Sequence, residues 1–171
     1  GLRIADVIEL TESLPLYIVD NATSLPQIFS WCYQLKQRPG GLRLVVVDYI
    51  QLMYAVGRKF ESREKEIAYI SSEFRRMAKE LDVVFMILSQ LSRSPEGRKD
   101  KRPQLADLRE SGALEQDAAV VILLYREEMH EPTDENRNIA EAIFAKNRDG
   151  SLGVQRLYFA KETSWFRDLA I

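Results

Sequence analysis

The strongest constraint on the fold is a repeated change of hydrophobic period. Leu44-Val45-Val46-Val47 is an unbroken apolar run rich in β-branched residues, and such a run reads as a strand buried on both faces. It ends in Asp48. From Ser62 to Leu81 the period switches. Ile67, Ile70, Phe74, Met77 and Leu81 recur at gaps of three and four, which is one apolar face of a helix. Val83 to Leu88 then returns to a buried-strand pattern and closes at Ser89-Gln90. Strand, helix, strand in this order places the chain in the α/β class with a largely parallel sheet. Right-handed crossovers would wind that sheet on both sides.

The flanking segments extend the pattern. Leu16 to Val19 reads as a short strand. Ser24-Leu25-Pro26-Gln27 reads as a helix start, with Ser24 able to cap, Gln27 able to reach back, and Pro26 harmless in the first turn. That helix is expected to run to about Arg38, before Pro39-Gly40-Gly41. A polar, basic stretch follows from Ser92 to about Gly112; from Arg93 to Arg109 it carries six basic residues (Arg93, Arg98, Lys99, Lys101, Arg102, Arg109) against three acidic ones (Glu96, Asp100, Asp107). Ala119 to Leu124 reads as a third strongly buried strand. Glu127 to Arg137 reads as a loop. Ile139 to Lys146 and Val154 to Lys161 flank Asn147-Arg148-Asp149-Gly150, whose Asp-Gly pair marks a hairpin turn.

Composition narrows the chemistry. The sequence has 171 residues, of which 46% are hydrophobic and 29% charged, enough for one domain with a core. A single cysteine, Cys32, allows no internal disulfide and no cysteine cluster, and a single histidine, His130, weakens any His-centred chemistry. No apolar run approaches the roughly 20 residues of a membrane span, and the first residues have no secretory core. These features suit a reducing cytoplasm. Cys32 reads as a core residue and His130 as an exposed one. Trp165 and Phe166 are expected to pack on the last strand.

In open α/β sheets function collects at the carboxyl ends of strands. Asp48 stands at such an end, where a carboxylate can hold Mg²⁺ through water beside a nucleotide phosphate; by itself it serves equally as a turn residue. Gln90 closes the next strand, where its amide can touch a γ-phosphate or simply mark where the strand meets water. In Asp107-Leu108-Arg109-Glu110-Ser111-Gly112, the Arg109 guanidinium suits phosphate, and backbone N–H groups near a glycine can approach one closely. Ser111 can at the same time cap a helix from Ala113 to Asp117. Lys146 and Arg148 read as two cations at the hairpin tip, either solvated or able to reach a neighbouring subunit's nucleotide in the manner of an arginine finger.

Taken together these segments resemble a family. Asp48-Tyr49-Ile50-Gln51-Leu52-Met53, Leu88-Ser89-Gln90-Leu91-Ser92-Arg93, Lys101-Arg102-Pro103, Asp107 to Gly112 and Glu115-Gln116-Asp117-Ala118 are similar in order and separation to the DnaB-type replicative DNA helicases. Lys146 to Arg148 resembles that family's Lys-x-Arg finger. The resemblance runs from Leu14 to about Phe166. It implies a RecA-like P-loop NTPase core that uses ATP and Mg²⁺, forms a ring of six, and moves on single-stranded DNA to unwind duplex at a replication fork. Asp48 would be the Walker B aspartate near Mg²⁺, and Gln90 the sensor linking phosphate state to the DNA loops. Arg109, Glu110 and Gly112 would hold the single-strand backbone, while Lys146 and Arg148 act on the neighbour's γ-phosphate.

The family's phosphate loop, G-x-x-x-x-G-K-[ST], has no counterpart among these glycine and lysine spacings. Residues 1–171 are therefore expected to be the C-terminal part of a helicase motor domain, truncated on its N-terminal side and inactive alone. Exposed apolar sheet and helix surface, with marginal stability or self-association, should follow. Contacts with primase and a loader would lie mostly in regions not present here. The competing reading is a non-catalytic DNA-binding or assembly remnant. A repair-type RecA relative is disfavoured by Lys101-Arg102-Pro103 preceding the Asp107 to Gly112 run.

Overall fold

A computed structural model describes residues 14–21, 24–91 and 98–169, with the backbone alone for 109–111. The periodic segments form as their patterns require. Helix α1 (Leu25–Lys36) begins at a capping box: the Gln27 Oε1 accepts from the Ser24 N–H at 3.3 Å and from the Ser24 hydroxyl at 2.8 Å. Gly40 and Gly41, both at positive φ, take the chain out of it. Strand β1 (Leu44–Val47) leads through a 3-10 turn (Ile50–Leu52) to helix α2 (Arg63–Leu81). Ser62 caps α2 by accepting from the Lys65 N–H, and Asp82 ends it in the left-handed conformation. Strand β2 (Val84–Ile87) pairs with β1 in parallel, Leu44 opposite Val84 and Val47 opposite Ile87.

Helix α2 organises the core. Its Ile67, Ile70, Phe74 and Met77 meet Leu25, Val47, Ile50, Met53 and Ala55, while Leu81 packs with Cys32 and Val83. Every position read as the apolar face of α2 is buried. Cys32 is buried as expected, and its burial pushes the thiol up to about 11.

A 3-10 segment (Leu105–Ser111) then runs into helix α3 (Gly112–Asp117), which docks on α2 where Asp117 accepts from the Ser71 hydroxyl at 2.7 Å and the Arg75 guanidinium at 3.3 Å. The remaining strands, β3 (Val120–Tyr125), β4 (Ile139–Asn147), β5 (Gly153–Ala160) and β6 (Trp165–Asp168), form one antiparallel sheet in chain order. Trp165 and Phe166 lie in β6, and the Phe166 ring meets that of Phe159 on β5 at 4.9 Å. His130 is exposed, stacked on Tyr125.

The α/β class and the C-terminal hairpin hold, and four expectations are corrected. First, Leu16 to Val19 forms no strand. Its backbone makes only the local Leu16 N–H to Leu14 carbonyl bond among the described residues, so apolar content without a ladder partner leaves it extended. Second, among the described residues the parallel pairing is confined to β1 and β2, and β3 pairs antiparallel with β4 instead of continuing that sheet. Third, the strands are buried on one face only. Val45, Val47, Phe85 and Ile87 turn toward the core, whereas Val46, Val84 and Met86 are more than half exposed, as is Leu124 on β3. Residue type predicted burial on both sides, but nothing among the described residues covers the second face.

Fourth, the hairpin connection is shorter than expected, because both strands extend one residue further into it, β4 to Asn147 and β5 from Gly153. Strand β4 runs through Asn147, because Val120 pairs with Asn147 and the Arg148 N–H reaches the Ala119 carbonyl at 3.0 Å. The turn is therefore residues 148–152. At Gly150 a Cβ would fall 2.4 Å from the Asn147 side-chain nitrogen, which folds over the turn toward the Ser151 carbonyl and would have to swing away.

Candidate nucleotide and DNA site

The parallel pair carries its hydrogen bonding beyond the regular strands. The Leu88 N–H donates to the Val47 carbonyl at 2.9 Å, and the Ile50 N–H to the Leu88 carbonyl at 3.0 Å. This fixes Asp48 and Gln90 at the carboxyl ends of adjacent, bonded strands, both exposed. The Asp48–Tyr49 peptide is cis.

Gln51, whose role the sequence did not disclose, bridges the two strand ends. Its amide nitrogen donates to the Ser89 hydroxyl at 2.9 Å, and its amide oxygen accepts from the Gln90 N–H at 3.3 Å. The segment holding Gln51 is tied down in turn. Arg63 on α2 donates to the Gln51 and Met53 carbonyls at 2.9 and 2.8 Å and pairs with Glu66, which also accepts from the Ala55 N–H at 2.9 Å. That backbone bond, with Arg63, holds the Glu66 carboxyl below its ordinary range. A core helix thus fixes the geometry of an exposed polar edge. Gln51→Ala is expected to cost about 1 kcal/mol of stability and to speed hydrogen exchange at the Gln90 amide. Unchanged exchange at Gln90 would show that Gln51 does not hold it.

The basic segment is less free than its composition suggests. Arg98 donates to Asp107 at 2.6 Å, and Asp107, only 2% exposed, also accepts from the Gln104 N–H at 2.7 Å. Arg102 forks onto Glu141 of β4 at 2.8 and 3.0 Å. Two of the six basic side chains are therefore neutralised internally, and Asp107 is an interior acceptor that shapes the turn leading to residues 109–112. Arg93 lies outside the described residues. For Arg109 and Glu110 the structure gives only the backbone, in the 3-10 segment, and Gly112 opens α3 at an exposed position.

Lys146 and Arg148 part company. Lys146 lies within β4, not at the tip, and its ammonium donates to the Glu115 and Gln116 carbonyls of α3 at 2.5 and 3.3 Å. A cation at the last turn of a helix meets its orphan carbonyls. Arg148 is exposed in the turn, and no ion pair engages it among the described residues. Neither residue bonds to Asp48 or Gln90 among the described residues. Sequence distance hid both the Arg102–Glu141 pair, 39 residues apart, and the Lys146 contact with α3.

Among the described residues no three His, Cys, Asp or Glu side chains gather as a metal cluster. Mg²⁺ needs no such cage. It is commonly held by one or two carboxylates together with water and substrate phosphates, and the exposed Asp48 carboxylate fits that mode. A cleft of about 460 Å³ lined by Lys36, Arg43, Asp82 and Val84 opens at the other, amino end of the parallel strands. It takes no part in this edge.

Comparison with known proteins agrees with this layout. The family model described as "DnaB-like helicase C terminal domain" matches residues 2–168. The chain is 44% identical over 155 residues to the replicative DNA helicase DnaB of Geobacillus stearothermophilus, covering 90% of this chain and 34% of that protein. It is 43% identical over 155 residues to the replicative DNA helicase DnaC of Bacillus subtilis, with the same coverage of each. Among solved structures, "ATPase Domain of G40P" superposes with a TM-score of 0.91 at 43% identity, over 97% of this chain and 59% of that one. A DnaB-like replicative helicase, described with its interactions with primase, superposes with a TM-score of 0.88 at 44% identity, over 97% of this chain and 41% of that one. The chain spans about a third of the length of the curated relatives it matches.

Proposed function

The chain belongs to the DnaB-like helicase C-terminal domain family, and from that premise we propose that residues 1–171 are the C-terminal part of the motor domain of an ATP-driven replicative DNA helicase. The observation that carries the proposal is the bonded edge where Asp48, Gln51, Ser89 and Gln90 meet at the carboxyl ends of β1 and β2. A nucleotide placed there meets a carboxylate and an amide side by side. When bound, Mg²⁺ would neutralise charge on the phosphates, and Asp48 would hold it through water. Gln90 would contact the γ-phosphate, and its strand end would shift when that phosphate leaves. Arg148, in a neighbouring subunit of a six-membered ring, would place its guanidinium against the same phosphate. Phosphoryl transfer depends mainly on such positioning and charge stabilisation.

Backbone groups and side chains at Arg109, Glu110 and Gly112 would follow the sugar-phosphate chain of single-stranded DNA, with little choice among bases. Contacts with primase and a loader would lie mostly outside residues 1–171. The cytoplasm is the proposed location. Among the described residues no helix is long and apolar enough to cross a membrane.

The test is strand displacement by the full-length protein on a tailed duplex with ATP. Unwinding is expected to need a single-stranded tail. Binding should weaken steeply with salt, at a log–log slope of about −0.7 per phosphate contacted. Asp48→Ala should abolish unwinding while leaving DNA binding in place. Unwinding that survives Asp48→Ala would sink the assignment.

A further inference from the structure

We propose that Arg102 and Glu141 are positioning residues that couple the segment bearing Arg109, Glu110 and Gly112 to the strand that leads to Arg148. The inference rests on the functional reading above and adds a physical connection between its two ends.

Strand β4 holds the segment from Arg102 to Gln116 at both extremities. At the entry, the Arg102 guanidinium forks onto Glu141, Nε to Oε2 at 2.8 Å and Nη2 to Oε1 at 3.0 Å. It also lies over the ring of Tyr125, which pairs with Glu141 across β3 and β4. At the exit, Lys146 on the same strand takes the Glu115 and Gln116 carbonyls, and the Arg148 N–H takes that of Ala119. Between these points the chain is stiffened by Asp107, which gathers the Arg98 guanidinium and the Gln104 N–H. Residues 109–112 thus sit on a short arch whose two feet stand on one strand.

A strand transmits displacement along its length, and the far end of β4 is the turn that bears Arg148. Movement of Arg148 toward or away from a phosphate pulls on both feet of the arch. A bidentate guanidinium–carboxylate pair fixes direction as well as distance, which a single lysine contact does not. Asp100 and Glu127 also face Arg102, at 3.7 and 3.8 Å, but at longer range and without the fork. The Glu141 hydrogen bonds are the main cause of the raised proton affinity of Arg102. Neither residue belongs to the nucleotide edge or to the DNA segment itself, so their effect is expected on coupling and not on the chemical step.

The experiment measures ATP turnover of the full-length protein with and without single-stranded oligothymidine, for Arg102→Gln, Glu141→Gln and the double variant, together with thermal unfolding. Each single change is expected to lower the ratio of DNA-stimulated to unstimulated turnover by about five-fold or more, with the unstimulated rate within about two-fold of the parent. The double variant should be no worse than the worse single, because both changes cut one link. Ratios that stay at the parental value overturn the proposal. So do effects that multiply in the double variant, and so do stimulated and unstimulated rates that fall together with the unfolding temperature. If the unsubstituted protein is not stimulated by single-stranded DNA at all, the functional reading fails and the coupling fails with it. If it is stimulated and the variants are too, only the coupling fails.

Discussion

Arg148→Ala in the full-length protein is expected to slow ATP turnover by about 10³-fold or more, the scale lost when an arginine finger is withdrawn from a phosphoryl-transfer site. The physical basis is placement. Arg148 leaves the sheet immediately after β4, its backbone is pinned by the bond to Ala119, and its side chain is exposed in the 148–152 turn. A guanidinium held on a stiff base toward solvent is suited to a site on another subunit. Mixing distinguishes that arrangement from action within one chain. Arg148→Ala subunits mixed with Asp48→Ala subunits would create interfaces where an intact Asp48 faces an intact Arg148, so mixed rings should turn over ATP faster than either variant alone. Subunits that exchange without any recovery would place Arg148 in its own chain's site.

Phe74→Ala should be the most damaging change away from that site. Phe74 is 3% exposed on the inward face of α2, and its ring meets that of Phe85 on β2 at 5.5 Å. Truncating a buried phenylalanine costs about 3–5 kcal/mol, from lost burial and the cavity left behind. Against a total stability of roughly 5–15 kcal/mol, that is a large share, and it should lower the unfolding temperature by about 10 °C. Leu152→Ala, at an exposed turn position, should shift stability by less than about 0.5 kcal/mol. A Phe74→Ala protein within about 1 kcal/mol of the parent would mean that α2 does not organise the core.

Local signals were legible and non-local ones were not. The capping box at Ser24 and Gln27 and the buried face of α2 each depend on residues within one or two turns of each other, and both formed as read. The Asp-Gly signal located the hairpin but not its length, because the extra pairing of Asn147 depends on Val120 across the sheet. Leu16 to Val19 failed as a strand since a ladder needs a partner that composition does not name. Burial of β1 on both faces, and strong burial of β3, were inferred from residue type, whereas burial depends on what lies opposite.

The same division holds at the site. Asp48 and Gln90 could be placed because strand ends are visible in a sequence. The clamp by Gln51, the neutralisation of Arg98 and Arg102, and the hold of Lys146 on α3 arise only when distant segments meet. The family resemblance marked Lys146 and Arg148 as a pair. The structure separates a lysine that secures a helix end from an arginine that faces outward.

By the function proposed above, these residues supply one part of an ATP-hydrolysing site, and no G-x-x-x-x-G-K-[ST] phosphate loop occurs among them. The most direct measurement is ATP turnover with single-stranded DNA, comparing the 171-residue chain alone with the full-length protein. Turnover is expected only for the longer protein. Turnover by the 171-residue chain alone, abolished by Asp48→Ala, would contradict it.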